Sequence, residues 1–335
     1  MAVGEARVPI LHGERPVHSS SPTKQTEKHH DSSQLEVPRL SRSMTVVTSL
    51  VAGASAGALA KTAIAPLDRT KINFQTSQTP YSWRAAVRFV RSSARAEGVV
   101  ALWRGNSATM ARIVPYAAIQ FTAHEQWKRV LGVDTPQSAK AYPLLHLMAG
   151  SLAGVTSQSA TYPLDLARAR MAVTNAQEYS TLRAVFVKVA REEGLRTLYR
   201  GYPATVLGVI PYAGVSFFTY DSLKHKHLEY FGTQQGPLTN VVFGGIAGAV
   251  AQSTSYPLDI VRRRMQTCRP GADGRYNYST IGATLSLVYR SEGWRGFFKG
   301  LSMNWVKGPI AVGISFATYD FIKTTLRDVA VRLES

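Results

Sequence analysis

The chain has 335 residues and one cysteine, Cys268, so no disulfide can form within it and a secreted disulfide scaffold is excluded. A secretory hydrophobic segment is missing near the N-terminus. So are a Gly-rich phosphate loop, a zinc-ligand spacing and a nucleophile elbow, and the eight His are scattered. These gaps leave a soluble enzyme without a motif to stand on, and no cofactor or metal is implied. Acids are scarce, 21 against 39 basic residues, for a net charge of +18. That balance suits an anionic partner: nucleic acid, an anionic lipid surface or a phosphorylated small molecule. Long uninterrupted apolar runs are lacking too. The mean hydropathy is −0.08, and Gly, Pro and charge break up the apolar stretches.

What is present is a repeat. Pro66-Leu67-Asp68-Arg69-Thr70-Lys71 returns as Pro163-Leu164-Asp165-Leu166-Ala167-Arg168 and as Pro257-Leu258-Asp259-Ile260-Val261-Arg262. A fixed period of just under a hundred residues marks a repeated supersecondary unit. The expected organisation is a disordered tail over 1–43 and three repeat units over 44–135, 136–235 and 236–335. The tail holds Arg7, Arg15, Lys24, Arg39 and Arg42, which gives a targeting bias. Glu5, Glu14, Glu27, Asp31 and Glu36 among them argue against a cleaved transit peptide.

Each unit opens on a helix of about 30 residues, roughly 45 Å at 1.5 Å per residue. Gly53-x-x-x-Gly57, Gly150-x-x-x-Gly154 and Gly244-x-x-x-Gly248 precede the prolines. Small residues every four predict close helix approach in a bilayer. After each such helix comes Glu-Gly (Glu97-Gly98, Glu193-Gly194, Glu292-Gly293), then an aromatic, a base and Gly: Trp103-Arg104-Gly105, Tyr199-Arg200-Gly201, Phe298-Lys299-Gly300. The triplets suit a membrane interface. They serve either as plain anchors or as lipid-phosphate sites through Arg104, Gly105, Arg200, Gly201, Lys299 and Gly300 at a helix N-terminus. The second helix of each unit ends in Glu125-x-x-Lys128, Asp221-x-x-Lys224 or Asp320-x-x-Lys323. The predicted fold is therefore an all-α membrane protein: three tandem two-helix repeats, a six-helix pseudo-threefold bundle with short additional helices. Each unit offers one acid–base pair at either end of its hairpin, either a gate element or an ordinary i,i+3 pair.

Three copies of Pro-x-Asp-x-x-Lys/Arg followed by Glu-Gly and aromatic-basic-Gly resemble the mitochondrial carrier family over about residues 45–330. The resemblance implies six tilted helices around a cavity in the mitochondrial inner membrane, both termini toward the intermembrane space, and a monomer with one site reached alternately from each side. Arg104–Met110, Pro115–Phe121 and Ser302–Phe316 resemble the members that carry coenzyme A and related adenosine phosphates, by counter-exchange. It further implies a matrix gate of Asp68 with Arg168, Asp165 with Arg262 and Asp259 with Lys71. Gln75 and Gln266 brace it, with Ala172 in the third brace position. The six residues that end the second helices would form the cytoplasmic gate, and cardiolipin is the lipid the triplets would hold.

Positions that differ between the units are the candidates for binding. Lys61 aligns with Gln158 and Gln252, and Arg112 and Lys307 align with Gly208. A cation at mid-membrane is costly unless it faces a cavity and an anion, so Lys61, Arg112 and Lys307 are expected to meet phosphates; the alternative, that one of them pairs with a protein carboxylate, is disfavoured because the central turns hold few acids. Arg112 supplies a planar fork. Gly208, Val209 and Tyr212 resemble an adenine-binding face, and Asn304 and Arg263 complete the expected contacts. Arg170 and Arg264 are expected to face matrix solvent as readily as ligand. The alternatives are ATP-Mg/phosphate exchange, disfavoured by the absence of an EF-hand loop in 1–43, and a proton-leak protein of the same fold. A nucleic-acid-binding helical repeat would explain the charge but not the paired acids.

Overall fold

A computed structural model describes residues 42–233, 235–271 and 274–334. Almost all of the expected N-terminal tail lies outside the described residues. Six long helices are described: α1 (Arg42–Thr76), α3 (Asn106–Val130), α5 (Pro143–Val173), α7 (Tyr202–Phe231), α8 (Pro237–Thr267) and α10 (Leu301–Glu334). Between them lie α2 (Trp83–Glu97), α4 (Pro136–Ala141), α6 (Leu182–Glu192) and α9 (Ile281–Glu292). No strand occurs among the described residues.

The main helix contacts run between units rather than within them. The second helix of each unit packs on the first helix of the next: α3 on α5, α7 on α8, and α10 back on α1. The ring is thereby closed. The first helices α1, α5 and α8 also touch one another, so the bundle converges at one end. That end carries the Pro-x-Asp motifs and is called the motif end below.

Large side chains such as Tyr162, Leu166, Tyr256 and Ile260 are buried around the motif end, but before the prolines the packed seams are small: Ala52, Ala56, Ala60, Ala149, Ala153, Ala247 and Ala251 are buried, while Phe121, Phe218 and Phe321 are each more than 70% exposed. Small residues inside and large apolar ones outside is the pattern of helices packed in lipid. The close approach is made by these alanines and not by the Gly-x-x-x-Gly pairs, which corrects the expectation. A Cβ on any of the six glycines would meet nothing within 4 Å. Gly150, Gly154 and Gly244 instead line a cavity, where a missing side chain widens the space.

Pro66, Pro163 and Pro257 lie inside α1, α5 and α8. Proline donates no N–H, which leaves the carbonyl four residues earlier without its helical partner. In α1 that carbonyl is Thr62 O, and the indole Nε1–H of Trp103 donates to it at 2.8 Å. The aromatic of the first triplet thus mends the helix it follows.

The triplet glycines sit at the N-caps of α3 and α7 and before α10, all with positive φ: Gly105 at 87°, Gly201 at 81° and Gly300 at 78°. A Cβ on Gly105 would stand 2.8 Å from Arg168 O, and one on Gly201 would stand 3.0 Å from Arg262 O. Glycine is required here twice over, by dihedral and by space.

Candidate functional site

At the motif end two of the three expected acid–base contacts are made. Arg168 Nη2 donates to Asp68 Oδ2, and Arg262 Nη2 to Asp165 Oδ2 at 2.5 Å. Each joins two units. The third contact, Asp259 with Lys71, is not made. Asp259 Oδ2 accepts from Gln252 Nε2 at 2.7 Å, and Lys71 Nζ stands 5.4 Å from the Tyr256 ring centroid. An amide and an aromatic face occupy what a direct ion pair would fill. Gln266 Nε2 donates to Asp165 Oδ2 and to Tyr162 Oη, both at 2.9 Å, and Gln75 Nε2 to Tyr256 Oη at 3.1 Å.

The cations expected to wait for phosphate are partly taken up by protein carboxylates. Lys307 Nζ donates to Asp68 Oδ1 at 2.8 Å. Arg112 Nη1 lies 3.6 Å from Asp165 Oδ1, and its Nη2 and Nε donate to Gln158 Oε1 (2.5 Å) and Thr161 Oγ1 (3.1 Å). Arg263 Nη1 reaches Asp165 Oδ2 at 3.3 Å and Gln266 Oε1 at 2.8 Å. Lys61 is exposed and lines a narrow cleft with Asp68, Arg168 and Thr109; no carboxylate lies within 4 Å of it among the described residues. Asn304 Oδ1 is buried and accepts no hydrogen bond.

The charge does not balance. Lys61, Lys71, Arg112, Arg168, Arg262, Arg263 and Lys307 are seven cations, and Asp68, Asp165 and Asp259 are three carboxylates, which leaves four positive charges unmatched. Such a surplus in a partly desolvated space is unfavourable until anions arrive.

Beside this cluster opens a cavity of about 760 Å³. Gly208, Val209 and Tyr212 line it, as do Gln158, Gln252 and Arg262. Gln158 joins the cavity to the cluster, because its carbonyl oxygen is held by Arg112 and its Nε2 finds no acceptor.

At the opposite end no ion pair joins two units among the described residues; the Tyr220 hydroxyl donates to Asn240 Oδ1 of the next unit at 3.2 Å. Lys128 pairs with Glu125 of its own helix at 2.7 Å, and His225 Nε2 lies 3.4 Å from Asp221, also within one helix. Lys323 Nζ lies 5.4 Å from the ring centroid of its neighbour Tyr319. The carbonyl of Lys224 accepts from Gln235, and Asp320 makes no ion pair among the described residues.

A buried ring of arginines escaped the sequence reading. Arg170 and Arg264, for which solvent and ligand were both open, face neither: they are at most 1% exposed, and Arg69 is 4% exposed. Each donates through Nε to one carbonyl of the following unit: Arg69 to Ala172 O, Arg170 to Gln266 O, Arg264 to Gln75 O. These three acceptors occupy the same position in their units. Each arginine also pairs with the acid of its Glu-Gly: Arg69 with Glu97 (3.4 Å), Arg170 with Glu193, Arg264 with Glu292 (2.6 Å). A carboxylate and a helix C-terminal carbonyl together satisfy the guanidinium, so burial is tolerated. Burial alone would raise the pKa of Glu292, but Arg264 and Lys299 hold it below the usual carboxylate value.

The triplet bases are engaged in the same inter-unit joints. Arg104 donates to the carbonyls of Thr174, Asn175 and Tyr179, Arg200 to those of Met265 and Tyr278, and Lys299 to that of Ser77.

Six long helices in a closed ring, three units, and acid–base contacts joining the units at one end are thus in place. A family model described as "Mitochondrial carrier protein" matches residues 42–135, 139–231 and 233–330. The chain belongs to the mitochondrial carrier family. It is a membrane transporter and not an enzyme. Among its relatives, the "Mitochondrial coenzyme A transporter SLC25A42" of Homo sapiens is 58% identical over 84% of this chain and 89% of that protein. The protein of the same name from Danio rerio is 56% identical over 84% and 88%. The "Mitochondrial carrier protein CoAc1" of Zea mays is 38% identical over 83% and 86%.

Proposed function

We propose that this carrier moves coenzyme A and related adenosine phosphates across the mitochondrial inner membrane, by counter-exchange through alternating access. The observation that carries this is the surplus of four positive charges beside a cavity lined by Gly208, Val209 and Tyr212. Coenzyme A bears a diphosphate and a phosphomonoester of about −1.5 to −2 charge at neutral pH. The adenine would lie against Gly208 and Val209 and stack on Tyr212. The phosphates would go to Lys307, Arg112, Lys61 and Arg263, with Asn304 donating through its amide. The named activity of the relatives, at up to 58% identity, favours this cargo over ATP-Mg/phosphate exchange or proton leak.

The same contacts suggest how binding is coupled to opening. Lys307 and Arg112 neutralise Asp68 and Asp165 when no ligand is present. A phosphate that takes these cations brings its own negative charge beside the two carboxylates and competes with them for Arg168 and Arg262, so the contacts that hold α1, α5 and α8 together weaken. Asp68, Lys71, Asp165, Arg168, Asp259 and Arg262, with Gln75 and Gln266, are then the matrix gate. Glu125, Lys128, Asp221, Lys224, Asp320 and Lys323 pair across units only when the other end shuts. Six spans, both termini in the intermembrane space and a monomer complete the reading. Lipid phosphate, cardiolipin included, would be held at the starts of α3, α7 and α10 by backbone amides, since Arg104, Arg200 and Lys299 are occupied by carbonyls.

The test is uptake into liposomes preloaded with coenzyme A, dephospho-coenzyme A, adenosine 3′,5′-diphosphate or ADP. External coenzyme A is expected to enter and to accelerate ADP efflux. If it does neither, the cargo assignment fails.

A further inference from the structure

We infer that the outer face of α2 docks on the anionic phospholipid headgroups of the bilayer as an interfacial amphipathic helix. This rests on the membrane reading above and concerns a surface apart from the cavity and from the helix starts.

Arg84, Arg88, Arg91 and Arg95 fall within an arc of about 60° on α2 at 3.6 residues per turn, and all four are exposed. None makes an ion pair among the described residues. The only acid on α2, Glu97, pairs with Arg69. The opposite face is spent on the fold: Ala86 and Ser93 are buried, and Phe89 meets Phe74 edge-on at 6.2 Å. On the flank of the arginine stripe stand Trp83 (48% exposed) and Val87 (47%).

The other two units serve as internal controls. Counted from Glu-Gly, Arg84, Arg88 and Arg91 correspond to Ser180, Ala184 and Val187 in the second unit and to Ser279, Ala283 and Ser286 in the third. Only Arg95 has basic counterparts, Arg191 and Arg290. Two units build the same joint without the stripe, so the fold does not require it. Like charges in a row on one helix face repel, and the row needs a compensating partner. A stripe of arginines flanked by Trp and Val is complementary to a layer of phosphates bordering hydrocarbon. A soluble polyanion would match the charges but not the exposed Trp and Val.

The experiment places a polarity-sensitive fluorophore at Val87→Cys in a Cys268→Ser background, reconstituted into phosphatidylcholine vesicles with and without anionic phospholipid. Emission is expected to shift to the blue in anionic bilayers. The shift should vanish near 1 M salt, where the Debye length falls to about 3 Å, and in the R84Q/R88Q/R91Q variant. The corresponding Arg→Lys variant should keep it, which separates lost charge from lost folding. If the triple Gln variant does not fold, R88Q alone should show a reduced shift. Equal emission in both bilayers, or a shift that survives the Gln substitutions, overturns the inference. So does inorganic polyphosphate reproducing the shift in phosphatidylcholine vesicles. Vesicles that show the shift yet take up no coenzyme A would fail the transport reading and leave this one standing.

Discussion

Asp68→Asn should tighten ligand binding while slowing transport. Asp68 is the carboxylate shared by Arg168 and Lys307, and Lys307 Nζ stands 2.8 Å from its Oδ1. A phosphate must displace that carboxylate before it can use the lysine. A hydrogen bond to a charged group contributes about 1.5–3 kcal/mol, while a fully exposed ion pair contributes at most about 1 kcal/mol. The Lys307 side chain is 26% exposed and that of Asp68 10%, so about 1.5 kcal/mol is a fair value. Removing the competitor should lower the Kd for coenzyme A about tenfold. Arg168 loses its partner in the same variant, so the motif end closes less firmly and exchange should fall. Isothermal titration of the purified protein gives the first quantity and liposome exchange the second. An unchanged or weaker affinity in Asp68→Asn would refute competition between ligand and gate.

Lys71 and Arg168 hold equivalent positions but unequal partners, so Lys71→Gln should cost about 1 kcal/mol, the value of a cation–π contact, and Arg168→Gln about 2–3 kcal/mol; equal shifts in thermal unfolding would deny the asymmetry. Gly105→Ala pays both the left-handed dihedral, about 1–2 kcal/mol, and an overlap with Arg168 O, whereas Gly132→Ala, at φ 68° with nothing within 4 Å, pays only the first. The melting temperature of Gly105→Ala should therefore fall further than that of Gly132→Ala. The pKa of Glu292 is depressed in the fold, so its ion pairs stabilise the protein above the unfolded value of about 4.3 and the gain is lost as pH falls through the lower folded value. Glu292→Gln should lower the melting temperature at pH 7 and lessen its decline in acid.

The helical class and the threefold repeat were legible because the Pro-x-Asp motif recurs at nearly constant spacing and small residues fill the turns before it. Which base each acid meets was not. Asp259 takes Gln252, seven residues earlier in its own helix, and nothing in the period distinguishes it from Asp68 or Asp165. The occupation of Lys307 by Asp68 links residues 239 apart in sequence, beyond any local pattern. The buried arginine ring was hidden by a register change. Arg170 and Arg264 stand five residues after their acids, but the first unit has Asn73 there and supplies Arg69, one turn earlier. The Glu of each Glu-Gly was legible only as a helix end. Its pairing with that ring emerges when α2, α6 and α9 fold back on the long helices.

The account turns on ligand phosphate drawing cations away from the gate carboxylates. Spin labels at Gln78→Cys and Gln177→Cys, in a Cys268→Ser background, would report the separation of the α1 and α5 ends by pulsed dipolar spectroscopy. Coenzyme A should add a population at longer distance, absent in Lys307→Ala and Arg112→Ala. A distance distribution unmoved by coenzyme A, in protein shown to transport it, would contradict the mechanism.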